Sequence, residues 1–299
     1  MQPEIFLQLL FNSVATASLI LLVAYGFSMI FHTLKVFHIA HGSFIVLSPY
    51  IFIGLSGLIP VTGLYFVLIL FFSIALTSGI AVLVEKAVYH PLFKKGSSDI
   101  TSFIASLGLY LFIVNGIALF DGHRMKILSN ELRTTYDIGS LLVTDIQLFQ
   151  ILTAIVSISA ITLWLHSSGR KKIFKAIADN PHIAKIIGLP VKFSRLVAIV
   201  VGTALAATAG LLMGYDTGIN PHSGMSMTLT AIVVVLLAGK RDLSLLILVS
   251  LGIGFLQQAS SWYLSSAWSD GLTFTLLLGA LLFRTEGVLS YQLRKDHVV

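Results

Sequence analysis

HSSGRKKIFKAIADNPHIAKIIGLPVKFSR, residues 166–195, is a basic, polar stretch set between two long apolar runs. Almost everything around it is hydrophobic enough to live in lipid. The chain has 299 residues, of which 56% are hydrophobic and 11% charged, with a mean hydropathy of +0.93. A soluble domain carries about 25% charged residues. The deficit leaves too few charges to solvate a surface, so the composition predicts an integral membrane protein.

The apolar runs place the spans. About twenty apolar residues cross the hydrocarbon core. Nine runs qualify as candidates: 6–30, 42–59, 64–84, 100–120, 146–165, 196–215, 225–238, 245–264 and 271–283. The seventh and ninth are short, which suggests tilting or breaking. The expected fold is all-α: one polytopic transmembrane helical bundle over residues 1–299, with about eight or nine spans. The start, MQPEIFLQLL, has no basic leader and carries Glu4, so it reads as a retained first span.

Charge sets the orientation. If residues 166–195 are cytoplasmic, then 16 of the 19 Lys and Arg residues fall on the inner side. Only Arg124, Lys126 and Arg133 remain, all in the mixed loop 121–145. Basic residues concentrate in cytoplasmic loops. The count therefore predicts an outside N-terminus, a cytoplasmic C-terminus and an external loop 121–145. The net charge of +6 has the same origin and does not indicate nucleic acid. The default reading of the external loop is a solvated one.

Absences narrow the function. No Asp, Glu, Lys or Arg interrupts an apolar run; Glu85 and Asp216 stand at edges. Ion-coupled carriers ordinarily place ionisable groups or oxygen cages inside the membrane. No G-x-x-x-x-G-K-[ST] phosphate loop is present, so ATP is not bound in that manner. Cysteine is absent, which excludes disulfides and thiolate chemistry. His38 and His41 have i, i+3 spacing, but no third ligand is placed to complete a metal site; they read as a polar cap. No cofactor or metal is expected. These features describe a pore without its own energy source.

Within the basic stretch, Ala176, Ile177, Ile183, Ala184 and Ile187 are spaced as one apolar face of short helical pieces. Asp179 or Asn180 followed by Pro181 can start a second piece. Gly188 ends it, and Pro190 prevents its extension. The bland reading is an interfacial helix drawn to anionic lipid. The functional reading is a helix seated in a soluble ATPase.

The run from Lys175 through Ala176, Ile177, Ala178 and Asp179 to Ile183, Ala184, Gly188 and Leu189 resembles the cytoplasmic coupling loop of ABC importer permeases. More narrowly, it resembles the branched-chain amino acid permease family, which includes urea and short-chain amide permeases. Phe37–Ser43 and Glu85–Leu92 resemble family segments before the second span and after the third. Ala105–Gly108 and Gly218–Pro221 also fall where the family has comparable runs. The resemblance covers nearly the whole chain, in order. One departure is Gly239-Lys240-Arg241-Asp242-Leu243-Ser244, where the family has a glycine-rich turn.

The resemblance implies an inner-membrane permease subunit for branched-chain or hydrophobic amino acids, working by alternating access. It is not an enzyme. It implies two ABC ATPase subunits gripping the coupling loops, a second related permease, and a periplasmic or extracellular substrate-binding protein. Lys175, Ala176, Ala178, Asp179, Ala184 and Gly188 would form the ATPase-coupling loop. Urea, amides or another small solute are alternative cargoes, and an ATP-independent channel or carrier is the alternative class.

Two polar breaks pair across the chain. His41, Gly42 and Ser43 open the second span from the inner side; Asn220, Pro221 and His222 open the seventh from the outer side. The pairing suggests inverted repeats with broken helices, which place free backbone groups on a translocation pathway. Finally, Gly202, Ala206 and Gly210 make a small-residue face, read as packing within the subunit.

Overall fold

The computed structural model describes residues 3–128, 134–139, 141–239, 243–265 and 267–283. Residues 240–242 of the unusual turn, Arg133 and the basic tail from 284 lie outside the described residues. The helices are α1 (Pro3–Leu34), α2 (His41–Ser56), α3 (Gly63–Val84), α4 (His90–Lys94), α5 (Asp99–Asp121), α6 (Asp145–Ser167), α7 (Arg170–Asp179), α8 (Pro181–Ile186), α9 (Val191–Asp216), α10 (Ser223–Ala238), α11 (Leu243–Tyr263) and α12 (Ala267–Phe283). A π-helical turn, Glu85–Tyr89, fuses α3 to α4.

Among the described residues, six helical stretches are long and apolar enough to cross a membrane: Glu4–Leu34, Gly63–Lys94, Asp99–Asp121, Asp145–Ser167, Val191–Asp216 and Leu243–Tyr263. Every predicted span holds a helix, but the expectation of eight or nine full crossings is met only in part. Helices α2, α10 and α12 have 16, 16 and 17 residues. At 1.5 Å per residue they reach about 24–26 Å, short of the roughly 30 Å core. The loop 121–145 is also not wholly irregular. Within it β1 (Thr135–Ile138) and β2 (Leu141–Thr144) pair antiparallel, with Tyr136 opposite Val143. Gln8 on α1 holds this hairpin by exchanging two hydrogen bonds with the Leu142 backbone, at 3.0 and 2.8 Å.

Helix α1 is the axis of the bundle. Leu22, Val23 and Ala24 are fully buried, while Phe72 on α3, Leu119 and Phe120 on α5 and Leu152 on α6 are exposed. An apolar exterior over a packed interior is what lipid as solvent requires. Small residues let the central helices approach. A Cβ added to Gly26 on α1 would sit 2.6 Å from the Gly202 carbonyl oxygen on α9. One added to Gly210 would sit 1.8 Å from that of Ile45 on α2. The small-residue face of α9 therefore packs within the subunit, with Ala206 between these contacts and fully buried.

The two short helices α2 and α10 meet at their N-termini. A Cβ on Gly224 would lie 2.0 Å from the Gly42 carbonyl oxygen; one on Gly42 would lie 2.7 Å from that of Gly224. From this crossing they diverge. The far end of α2 reaches the C-terminal end of α9, where Phe52, Phe66 and Tyr215 pack with ring centroids 5.6–6.2 Å apart. Helix α10 leads the other way, toward the start of α11, where Leu243 lines the same groove as Thr162 and Leu163 near the C-terminal end of α6.

Substitution at this crossing should be costly where open glycines are tolerant. Gly224→Ala should lower the thermal unfolding midpoint of the purified protein, with a loss of about 1–3 kcal/mol from overpacking. Gly108→Ala and Gly252→Ala, where an added Cβ meets nothing within 4 Å, should leave the midpoint nearly unchanged. Equal midpoints for all three variants would contradict the assigned contact.

Candidate coupling and translocation sites

The predicted coupling residues form one compact unit at the C-terminal ends of α1 and α6 and the N-terminal end of α9. Gly169, at φ +66°, turns the chain out of α6 into α7. Asn180 is the cap of α8: its side-chain oxygen accepts from the backbone N–H groups of His182 (3.0 Å) and Ile183 (3.1 Å), and Pro181 follows. Gly188, at φ +81°, closes the pair, and the Leu189 N–H donates to the Ala184 carbonyl at 2.9 Å. The left-handed turn costs glycine nothing.

The apolar residues of this unit do not make a single face. Ile177, Ala184 and Val191 are buried together with Ile173 and Leu189 against them. Ile183, Ile186 and Ile187 point away, 56%, 81% and 65% exposed. A helix–turn–helix needs one set of apolar residues to hold itself together, and the second set is left over. Ala178 is buried, Ala176 half-buried, and Lys175 and Asp179 are exposed.

Two polar contacts tie together the helices around this unit. Lys35 ends α1 in the left-handed region, at φ +61°, and its Nζ donates to the Ala178 carbonyl. A non-glycine residue at positive φ is uncommon; here it aims the side chain at the C-terminus of α7, where a cation suits the helix dipole. The second contact is a buried ion pair. Arg195, in the first turn of α9, lies 3.1 Å from Glu85, and both side chains are only 4% exposed. The Arg195 guanidinium also sits 4.2 Å over the Phe93 ring. The π turn points both Glu85 and Tyr89 inward. Tyr89 meets His38, with the His38 Nδ1 and the Tyr89 hydroxyl 2.8 Å apart.

These partners were not identified from sequence. In the sequence Glu85 is a charge at the edge of a span and the first residue of the family-like segment Glu85–Leu92, and neither feature names its partner. Arg195 was counted with the solvated loop cations, although six mostly apolar residues follow it directly.

Of the predicted pathway residues, His41, Gly42 and Ser43 are buried in the first turn of α2. The segment before them folds back into the bundle, and the Ala40 N–H donates to Ser106 on α5 at 2.9 Å. Burial, and secondly the His41 ring, push the His38 imidazole down from 6.5 to about 3. His38 is therefore neutral at physiological pH. Among the described residues no group of three metal-ligating side chains occurs.

Asn220, Pro221 and His222 form a tight turn into α10. The Asn220 N–H donates to Ser223 Oγ (3.2 Å), and the Ser223 N–H returns to the Asn220 carbonyl (3.1 Å). His222 is exposed, with its Nε2 3.3 Å from the Nδ1 of His123 just beyond the C-terminal end of α5. Lys126 and Ile219 exchange backbone hydrogen bonds of 2.9 and 2.7 Å, which brings the segment after α5 onto this turn. Gly42 thus meets the first turn of α10, while Asn220 and His222 stand before that turn.

The comparisons match this architecture to a known group. The family described as "Branched-chain amino acid transport system / permease component" matches residues 9–281. The high-affinity branched-chain amino acid transport system permease protein LivH of Escherichia coli K12 is 26% identical over 295 residues, covering 95% of each chain. BraD of Pseudomonas aeruginosa, with the same description, is 26% identical over 300 residues, covering 96% of this chain and 97% of its own. A solved structure, PsaBC from Streptococcus pneumoniae in complex with Fab, aligns at 17% identity with a TM-score of 0.48, covering 90% of this chain and 89% of that one. Because the family model matches residues 9–281, the chain is a multi-pass membrane protein that belongs to the family of branched-chain amino acid transport system permease components, and is a transporter subunit rather than an enzyme.

Proposed function

We propose that this protein is the permease subunit of an ATP-driven ABC importer for branched-chain and other hydrophobic amino acids. The observation that carries the reading is the exposed isoleucine patch, Ile183, Ile186 and Ile187, on a helix pair anchored to the membrane domain. Such a patch on a basic, water-facing loop fits a hydrophobic cleft on a soluble partner. Each permease would offer its loop to one of two ATPase subunits, beside a second related permease. A substrate-binding protein would dock on the external loop 121–145. The basic-residue count supports a cytoplasmic placement of residues 166–195, with the N-terminus outside and the C-terminus inside.

The mechanism is alternating access. ATP binding closes the ATPases, and the Lys175–Gly188 unit moves with its ATPase. Lys35 carries the displacement to α1, and the Glu85–Arg195 pair carries it to the fused α3–α4 rod. The crossing of α2 and α10 is the fixed midpoint of the rocking. Asn220, Pro221 and His222 form the outer lip of the pathway, and His41, Gly42 and Ser43 belong to its midpoint at the crossing. The paired helix N-termini suit a carboxylate-bearing substrate, because the positive end of each helix dipole favours negative charge.

Ile186→Asp should weaken co-purification of the ATPase by about thirtyfold, the loss of one interface hot spot of about 2 kcal/mol. Its membrane domain should unfold at the wild-type temperature, since Ile186 is 81% exposed. Asp179→Lys and Gly188→Val should act in the same direction. Normal ATPase association and uptake in all three would refute the coupling assignment.

The ion pair separates packing from transmission. Arg195→Met leaves the Glu85 carboxylate buried without its cation and should cost about 3–5 kcal/mol. Glu85→Met combined with Arg195→Met should recover most of that stability yet leave ATP hydrolysis poorly coupled to uptake. A stable double variant with normal coupling would reduce the pair to a packing element.

A further inference from the structure

A groove with a cavity of about 520 Å³ runs between α1, α6 and α11. Its lining is almost wholly apolar and includes Ala17, Leu21, Ile155, Ser159, Ile247 and Leu251. On α6 it extends from Ile151 to Leu163, which is about 18 Å at 1.5 Å per residue. That length is close to one leaflet of a hydrocarbon core about 30 Å thick. Its inner end is marked by Thr162, Leu163 and Leu243.

Cations gather immediately beyond that end. Lys171 Nζ lies 3.2 Å from His166 Nε2, and the Arg170 guanidinium stacks 4.5 Å over the Trp164 ring. Lys172 is exposed beside them. Among the described residues none of Arg170, Lys171 and Lys172 is in an ion pair. The stretch 166–195 contains seven cations and a single acid, Asp179.

From this juxtaposition we infer that the groove and its basic mouth form a binding site for an anionic glycerophospholipid of the inner leaflet. One acyl chain lies in the α1–α6–α11 groove, and the phosphate is held by Arg170, Lys171 and Lys172. Apolar length and positive charge follow one another in the order in which an acidic phospholipid presents chain and headgroup. A second copy of this chain fits less well, because it would bring its own cationic loop to the same place. The polar head of an amino acid fits less well still, since the groove offers it only scattered hydroxyls. Bound here, the lipid touches the entrance of the coupling unit. The inference rests on the inner placement of that loop and is independent of the transport reading.

The test uses the purified full chain in detergent, titrated with phosphatidylglycerol or phosphatidylcholine, with retained lipid counted by native mass spectrometry. Wild type should retain phosphatidylglycerol at about tenfold lower lipid concentration than phosphatidylcholine, as expected for several basic residues acting together. The triple variant Arg170→Gln, Lys171→Gln, Lys172→Gln should lose that preference. Ser159→Trp, at an exposed groove position, should lose retained lipid of both kinds while keeping the wild-type unfolding midpoint. Equal retention of the two lipids by wild type, or a preference that survives the triple variant, would overturn the proposal. Unchanged retention in Ser159→Trp would assign the lipid to a peripheral charged surface, also against it. The chain lacks cysteine, so Leu163→Cys reports the other occupant: efficient cross-linking of two copies through this residue would give the groove to a protein partner.

Discussion

The bundle depends on the contact between Gly42 and Gly224, where the backbones of α2 and α10 touch with no side chain between them. Neither helix is long enough to cross the hydrocarbon core from face to face. Each starts inside the protein, and the two run toward opposite faces. Non-helical backbone at membrane depth is tolerated only where protein or a cavity surrounds it. The segments leading into both helices meet that condition. Ala40 bonds to Ser106, and Asn220 and Ser223 bond to each other. The long helices α1 and α9 enclose the crossing and touch each other at Gly26 and Gly202.

A second constraint joins this interior to the inner surface. A charged pair taken out of water survives only if both partners stay together. Glu85 and Arg195 tie the π turn between α3 and α4 to the first turn of α9. Lys35 adds a link from α1 to the carbonyl end of α7. Under the proposed coupling role, Lys35 would be the direct link from the helix pair to α1, and the ion pair would hold α9 to the α3–α4 rod beside it. The same unit lies beside the basic mouth of the α1–α6–α11 groove, so lipid and ATPase would act on neighbouring turns.

Much of this was legible in the sequence, for definite physical reasons. Apolar runs separated by charged segments report spans directly, because lipid tolerates little else. Asn180-Pro181 and Gly188 mark the ends of α8, since capping and left-handed turns select those residue types. The two polar breaks announced α2 and α10. Other features were hidden. Span length alone did not identify α2 as short, because apolar residues continue past Ser56 into the turn. Period alone could not divide the isoleucines, because Ile177 and Ile187 look equivalent until the helix pair folds back on itself. The burial of Arg195 depends on a partner 110 positions earlier, which no local pattern reveals. The hairpin β1–β2 is held by Gln8, which precedes Leu142 by 134 positions.

The most direct measurement is uptake of radiolabelled leucine by the complete transporter reconstituted in proteoliposomes, with ATP supplied on the side of the coupling loops. The account predicts accumulation above the external concentration only when ATP and the substrate-binding protein are both present, and none with a non-hydrolysable analogue. Accumulation or equilibration of leucine without ATP would contradict it and identify a channel or self-sufficient carrier.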